Sequence, residues 1–189
     1  MEGVTDPCFR AVLLARHRPE DLGGACTEFL RVVDHPYRPS QVRRHLGPSD
    51  SSIPVGVQLM GSHESALAAT AESVLQTEAA FLDLNFGCPT KGALKGCAGS
   101  ALLREPKRLE SIVRACVEAC GASLPVTAKI RAGFDDAESV EELAQAAEAG
   151  GPPHSPAAPV NTGAPSTRKR RAGRGPGSRR PPATPGGPR

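Results

Sequence analysis

A cysteine stands where a strand should end. Cys88 follows the apolar run Ala79–Leu84 and lies inside Asn85-Phe86-Gly87-Cys88-Pro89. The run has the length of a buried strand, and Gly87 and Pro89 punctuate a turn just past its carboxyl end. In α/β sheets and barrels that end is where ligands bind and catalytic residues sit. A thiol held there can act as a general acid. Lys91, Gly92, Lys95, Gly96 and Gly99 follow and read as a flexible cationic loop. Its amides and ammonium groups suit a phosphate-bearing partner. Lys129 closes another strand-like run, Leu124–Ile130, and at the same end of a parallel sheet its ammonium can stabilise an anion.

The elements that must position these groups alternate. Thr5 or Asp6 caps a helix with Pro7 near its first turn and Phe9, Val12 and Leu13 on its apolar face. Ala25–Phe29 reads as a strand with Glu28 and Arg31 at its exit, where a Glu/Arg pair is by itself a solvated ion pair of little worth. His35, Pro36 and Pro39 mark a loop, with Arg43, Arg44 and His45 as surface charges. Ile53–Met60 alternates as a strand, with Gln58 on the face opposite Val57. Ser62–Thr77, Pro106–Gly121 and Ser139–Ala149 carry helical periodicity. Strand and helix alternate about four times, which predicts α/β architecture with a parallel sheet.

Asn85-x-Gly87-Cys88-Pro89, Lys91 and Gly96-x-Ala98-Gly99-x-Ala101-Leu102-Leu103 together resemble the active-site segment of tRNA-dihydrouridine synthases. Four further stretches agree in order and spacing: Met1–Asp6, Thr27–Asp34, Val57–Gly61 and Pro125–Gly133. Thr27–Asp34 resembles the bacterial C-type subfamily, and the likeness covers residues 1–150. It implies an FMN-dependent (β/α)8 TIM barrel that reduces a D-loop uridine of tRNA to 5,6-dihydrouridine, with NADPH, or NAD(P)H generally, restoring the flavin. It also implies roles for single residues. Cys88 is the acid that protonates C5, and Asn85 holds the uracil edge or the flavin. Gln58, Lys129 and the Met1-Glu2-Gly3 tripeptide lie at the flavin. Glu28, Arg31 and Lys91 belong to the substrate side. The implied partners are tRNA and NAD(P)H, on a monomer without metal.

Length and composition qualify that expectation. The chain has 189 residues, whereas a complete (β/α)8 barrel typically needs ~250. The sequence therefore predicts about the first half of a barrel over 1–150, which alone neither binds FMN tightly nor turns over. Residues 151–189 hold ten Pro, seven Gly and eight Arg or Lys, with no Asp or Glu. Such a segment cannot bury enough apolar surface to order itself, so a disordered tail is expected, read here as the product of a shifted reading frame. Without it, 15 basic residues face 20 acidic ones, a net of −5, so the overall charge of +3 says nothing about a nucleic-acid partner. There is no signal-peptide pattern and no apolar run of membrane-spanning length, so a cytoplasmic protein with reduced thiols is expected. Cys116 and Cys120 lack a neighbouring histidine, and no metal site is expected. Two other readings stay open: another FMN-barrel pyrimidine dehydrogenase, and a non-catalytic RNA-binding fragment using the basic stretch Thr167–Arg189.

Overall fold

Three prolines open helices, because a residue without an N–H is tolerated where the helix has no acceptor for it. They begin α1 (Pro7–Leu14), α2 (Pro39–Leu46) and α5 (Pro106–Cys120). Asp6 caps α1, its carboxylate accepting from the Phe9 amide at 2.9 Å. In the computed structural model the described residues are 5–48, 51–134, 139–151 and, as backbone only, 160–163. They comprise α1, β1 (Ala25–Val32), α2, β2 (Val55–Gly61), α3 (Glu64–Leu75), β3 (Leu82–Asn85), α4 (Lys91–Lys95), a 3-10 helix over Gly99–Arg104, α5, β4 (Val126–Arg131), α6 (Val140–Ala149) and β5 (Val160–Gly163).

The five strands are parallel and lie in sequence order, β1-β2-β3-β4-β5. A doubly wound sheet would reverse its order at some point. Steady progression with a helix between strands is the course of a (β/α)8 barrel, here a partial one. The alternation in β4 shows which face the helices cover: Val126, Ala128 and Ile130 are buried, and Thr127, Lys129 and Arg131 are half-exposed. Val57, Leu59, Leu82, Leu84, Ala128 and Ile130 share one core with Leu67, Ala71, Leu109, Ile112, Val113 and Leu143 from the helices. The opposite face is polar, with Gln58, Asp83 and Thr127 in one register row and Asn85 beside Lys129 in the next. At the amino end of this face the Phe81 ring lies directly on Gly56, where a Cβ would come within 2.3 Å of it.

Several expectations need correction. Beyond Gly150 the pattern does continue: Val160–Gly163 pairs with β4 in parallel register from Ala128↔Val160 to Arg131↔Gly163. A four-residue strand is invisible in a composition dominated by Pro and Gly; residues 164–189 lie outside the described residues. The stretch after Cys88 is not a flexible loop either. Thr90 caps α4 by accepting from the Ala93 amide, and tertiary hydrogen bonds hold the turn. Residues 39–46 form a helix, although they read as loop and surface charge. The Gln41 side chain accepts from the Arg38 amide at 2.9 Å, and Arg43, Arg44 and His45 lie in its last turn, where cations suit the helix dipole.

Arg10 ties the first two helices together. Its buried guanidinium donates to the carbonyls of Thr5, His45 and Leu46. The last two are terminal carbonyls of α2 that lack intrahelical partners. Burial holds this guanidinium below its ordinary value, while Glu28 and Asp6 act the other way.

Candidate active site

Cys88 lies three residues past β3, and its position follows from one side chain. Asn85 ends the strand, and its Oδ1 accepts from the amides of Gly87 at 3.0 Å and Cys88 at 3.1 Å. This is the local turn that Asn forms with the backbone just ahead of it. The half-exposed Cys88 side chain packs against Met60, Ala93 and Ala98, and its sulfur is 3.4 Å from the Thr90 hydroxyl. Behind it the chain returns closely: the Ser100 amide donates to the Cys88 carbonyl at 3.0 Å. That approach needs Gly99, whose φ is +59° and whose Cβ would lie 2.7 Å from the same carbonyl oxygen.

The other amide of the site is bound to the first. Asn85 Nδ2 donates to Gln58 Oε1 at 2.9 Å, and Gln58 Nε2 donates to Asp83 Oδ2 at 2.6 Å. The Thr127 hydroxyl donates to Asp83 Oδ1 at 2.5 Å. Asp83 is buried, which raises its carboxyl above the ordinary value; the Thr127 and Gln58 hydrogen bonds and the charge of Lys129 oppose that rise. Lys129 stands opposite Asn85 in the β3–β4 register, on the same face. Burial, and then Asp83, push the Cys26 thiol up to about 12.

Gln58, Asn85, Cys88 and Lys129 are therefore brought to one end of one face. Arg31 and Lys91 meet differently. The Arg31 guanidinium donates to the Gly92 carbonyl at 2.6 Å, and Ser62 Oγ to the Gly96 carbonyl at 2.8 Å, so the two residues pin α4 at both ends. Glu28 lies at an irregularity in the β1–β2 register, where the Thr27 hydroxyl accepts from the Gln58 backbone N–H at 3.1 Å. Its charge acts on Arg10, and its carbonyl is 2.6 Å from His45 Nε2. Met1, Glu2 and Gly3 lie outside the described residues. Sequence reasoning missed Asp83, Thr127 and Arg10. For the first two a signal existed, since Asp83 shares strand parity with Asn85 and Thr127 with Lys129; for Arg10 none did.

The sequence profile of the family described as dihydrouridine synthase (Dus) matches residues 1–153. The chain belongs to the dihydrouridine synthase family. Relatives include the tRNA-dihydrouridine(16) synthase of Vibrio parahaemolyticus, 37% identical over 158 residues that cover 80% of this chain and 48% of the relative. That of Pseudomonas putida is 38% identical over 161 residues, 82% of this chain and 49% of the relative. That of Haemophilus influenzae is 36% identical over 157 residues, 80% and 50% respectively. The chain thus spans about half the length of the curated relatives it matches. Family membership sets aside the reading as a pyrimidine dehydrogenase of another family. Among the described residues no cluster of His, Cys, Asp or Glu could hold a metal ion, and no helix is long and apolar enough to cross a membrane.

The donor set of this dihydrouridine synthase segment fits a flavin ring. Among the described residues the Gln58 side-chain amide makes two hydrogen bonds, which leave one N–H and one lone pair. Such a group can pair with the alternating donors and acceptors along a flavin edge. Lys129 adds a cation on the same face.

Proposed function

We propose that this segment supplies the proton-donating half of an FMN-dependent reduction of uridine in tRNA, with NADPH as reductant and a D-loop uridine as target. The observation that carries the reading is the placement of Cys88. Its half-exposed thiol stands at the carboxyl end of β3, on a turn fixed by Asn85 beside an otherwise polar face. Gln58 and Lys129 would hold FMN, together with Met1, Glu2 and Gly3. When bound, FMN supplies the hydride for C6 of the pyrimidine.

The residues of this chain do the rest. Cys88 gives the thiol proton to C5 from the opposite side of the ring, so that hydride and proton together saturate the C5–C6 bond and leave a thiolate to be reprotonated. A positioned acid of this kind is worth roughly 10²–10⁴-fold in rate. Asn85 holds the Cys88 backbone, and the packing of Cys88 against the cluster of Met60, Ala93 and Ala98 limits where the sulfur can swing. Lys129 offers a positive charge to an anionic reduced ring. Arg31 fastens the segment that carries Lys91 and Lys95, leaving those ammonium groups to the phosphates of the RNA. That its relatives are tRNA-dihydrouridine(16) synthases supports the choice of tRNA as substrate.

The test is dihydrouridine formation in a tRNA transcript, read by mass spectrometry, with flavin-loaded protein carrying this segment. Cys88→Ala should lose roughly 10²–10⁴-fold in rate while the protein stays yellow. Wild-type turnover by Cys88→Ala would remove Cys88 from the mechanism.

A further inference from the structure

Thr127, Asp83, Gln58 and Asn85 form one unbroken hydrogen-bonded chain across β4, β3 and β2, and it ends on the amides of Gly87 and Cys88. Its two ends differ in kind. Both Asp83 oxygens accept, one from Thr127 and one from Gln58, whereas the backbone amides can only donate. Between them, Gln58 and Asn85 each have a single orientation that satisfies both neighbours. Turning Gln58 over would set its carbonyl oxygen against the carboxylate and its NH₂ against that of Asn85. Turning Asn85 over would set its NH₂ against two backbone N–H groups. The hydrogen bonds of the Asp83 side chain go to Gln58 and Thr127 and not to the Cys88 turn, and it is 7% exposed. A carboxylate is costly to bury, so space-filling is a poor account of its presence there.

We propose that Asp83 is a positioning residue: by accepting from Gln58 it sets the direction of the amide chain, and through Asn85 it holds the turn that carries Cys88. This rests on the reading of Cys88 and Gln58 as working residues of the site, but its test needs neither flavin nor RNA. Asp83 also decides which half of the Gln58 amide is left free, and so what that side chain can offer a ring on the open face.

Amide hydrogen exchange in the full chain reads the turn directly, with Val113 and Val117 of α5 as an internal reference. Asp83→Leu should speed exchange at Gly87 and Cys88 by roughly ten-fold, about the worth of one hydrogen bond, with the α5 amides unchanged. The double variant Asp83→Asn/Gln58→Glu moves the acceptor-only end one step along the chain. The carboxylate at position 58 then accepts both from the new amide at 83 and from Asn85, so exchange at Gly87 and Cys88 should return to the wild-type rate. Unchanged exchange in Asp83→Leu overturns the proposal, and so does a double variant as fast as Asp83→Leu. If Asp83→Leu unfolds, as the α5 amides would reveal, the double variant decides alone. If the chain passes this test while flavin-loaded protein carrying this segment turns over equally well with Cys88→Ala, the functional reading fails and the positioning role stands; the reverse result does the opposite.

Discussion

At the scale of single residues, burial sorts the ionisable groups into those available for chemistry and those that are not. Burial pushes the thiols of Cys26 and Cys116 up to about 12 and that of Cys120 up to about 11, whereas Cys8 and Cys97 are exposed and Cys88 half-exposed. A thiol at 12 is ionised to roughly one part in ten thousand at pH 8, and the thiolate is the form that alkylates. Iodoacetamide at pH 8 should therefore modify Cys8, Cys88 and Cys97 well before Cys26, Cys116 and Cys120, as peptide mapping over time would show. Asp83 gives a prediction in pH. Burial raises its carboxyl above the ordinary 3.8, so the folded chain holds that proton more tightly than the unfolded chain does. Its contribution to stability is full below the unfolded value and is lost as pH climbs through the raised one. Urea midpoints of wild type, referred to Asp83→Asn, should fall from about pH 4 upward and then level off; a relative midpoint that rises with pH would contradict the assignment. Ser100 points the other way, with a buried hydroxyl that has no hydrogen-bond partner among the described residues. Ser100→Ala should stabilise by roughly 1 kcal/mol, because a buried unsatisfied hydroxyl costs about that much.

At the scale of elements, the site depends on how closely the segment after β3 folds back on itself. The return of the chain at Ser100 is possible only because Gly99 has no side chain and takes a positive φ. Gly99→Ala should cost roughly 1–3 kcal/mol by urea denaturation, from overpacking plus a left-handed backbone, and it should loosen the turn at Cys88. An unchanged midpoint would show that the 3-10 helix can lift away freely. Which elements were legible in the sequence follows from the same distinction. β2 and α5 read clearly because their periodicity is long and unbroken, with Val57 and Leu59 on one side and Leu109, Ile112, Val113 and Cys116 along one stripe. α4 did not, because Lys91-Gly92-Ala93-Leu94-Lys95 has little helical preference of its own and is held by Arg31, Ser62 and the Thr90 cap. α2 hid behind three consecutive basic residues, while only Val42 and Leu46 mark its buried face. The Cys88 turn was legible because Asn, Gly and Pro specify turns locally; the Asp83 link was not, because it exists only once three strands are in register.

At the scale of the whole molecule, the sheet buries its apolar residues on one side and its site on the other. The helices cover the apolar face, and the polar face carries the candidate site. Among the described residues β5 is the last strand of the sheet. Four ladder positions join Val160–Gly163 to β4, the strand that carries Thr127 and Lys129. Without that partner β4 becomes a sheet edge, with unpaired amides beside the site. Two shortened chains locate the boundary. A chain ending at Gly163 removes all eight Arg and Lys residues that follow Gly150 and should keep the urea midpoint of the full chain. A chain ending at Gly151 also removes β5 and should lose roughly 1–3 kcal/mol, the worth of a few ladder hydrogen bonds, with faster amide exchange at Thr127 and Lys129. Equal midpoints for all three chains would mean that the folded unit closes at α6. A loss on removing 164–189 alone would mean that the basic stretch packs against the sheet, and the boundary at Gly163 would then be wrong.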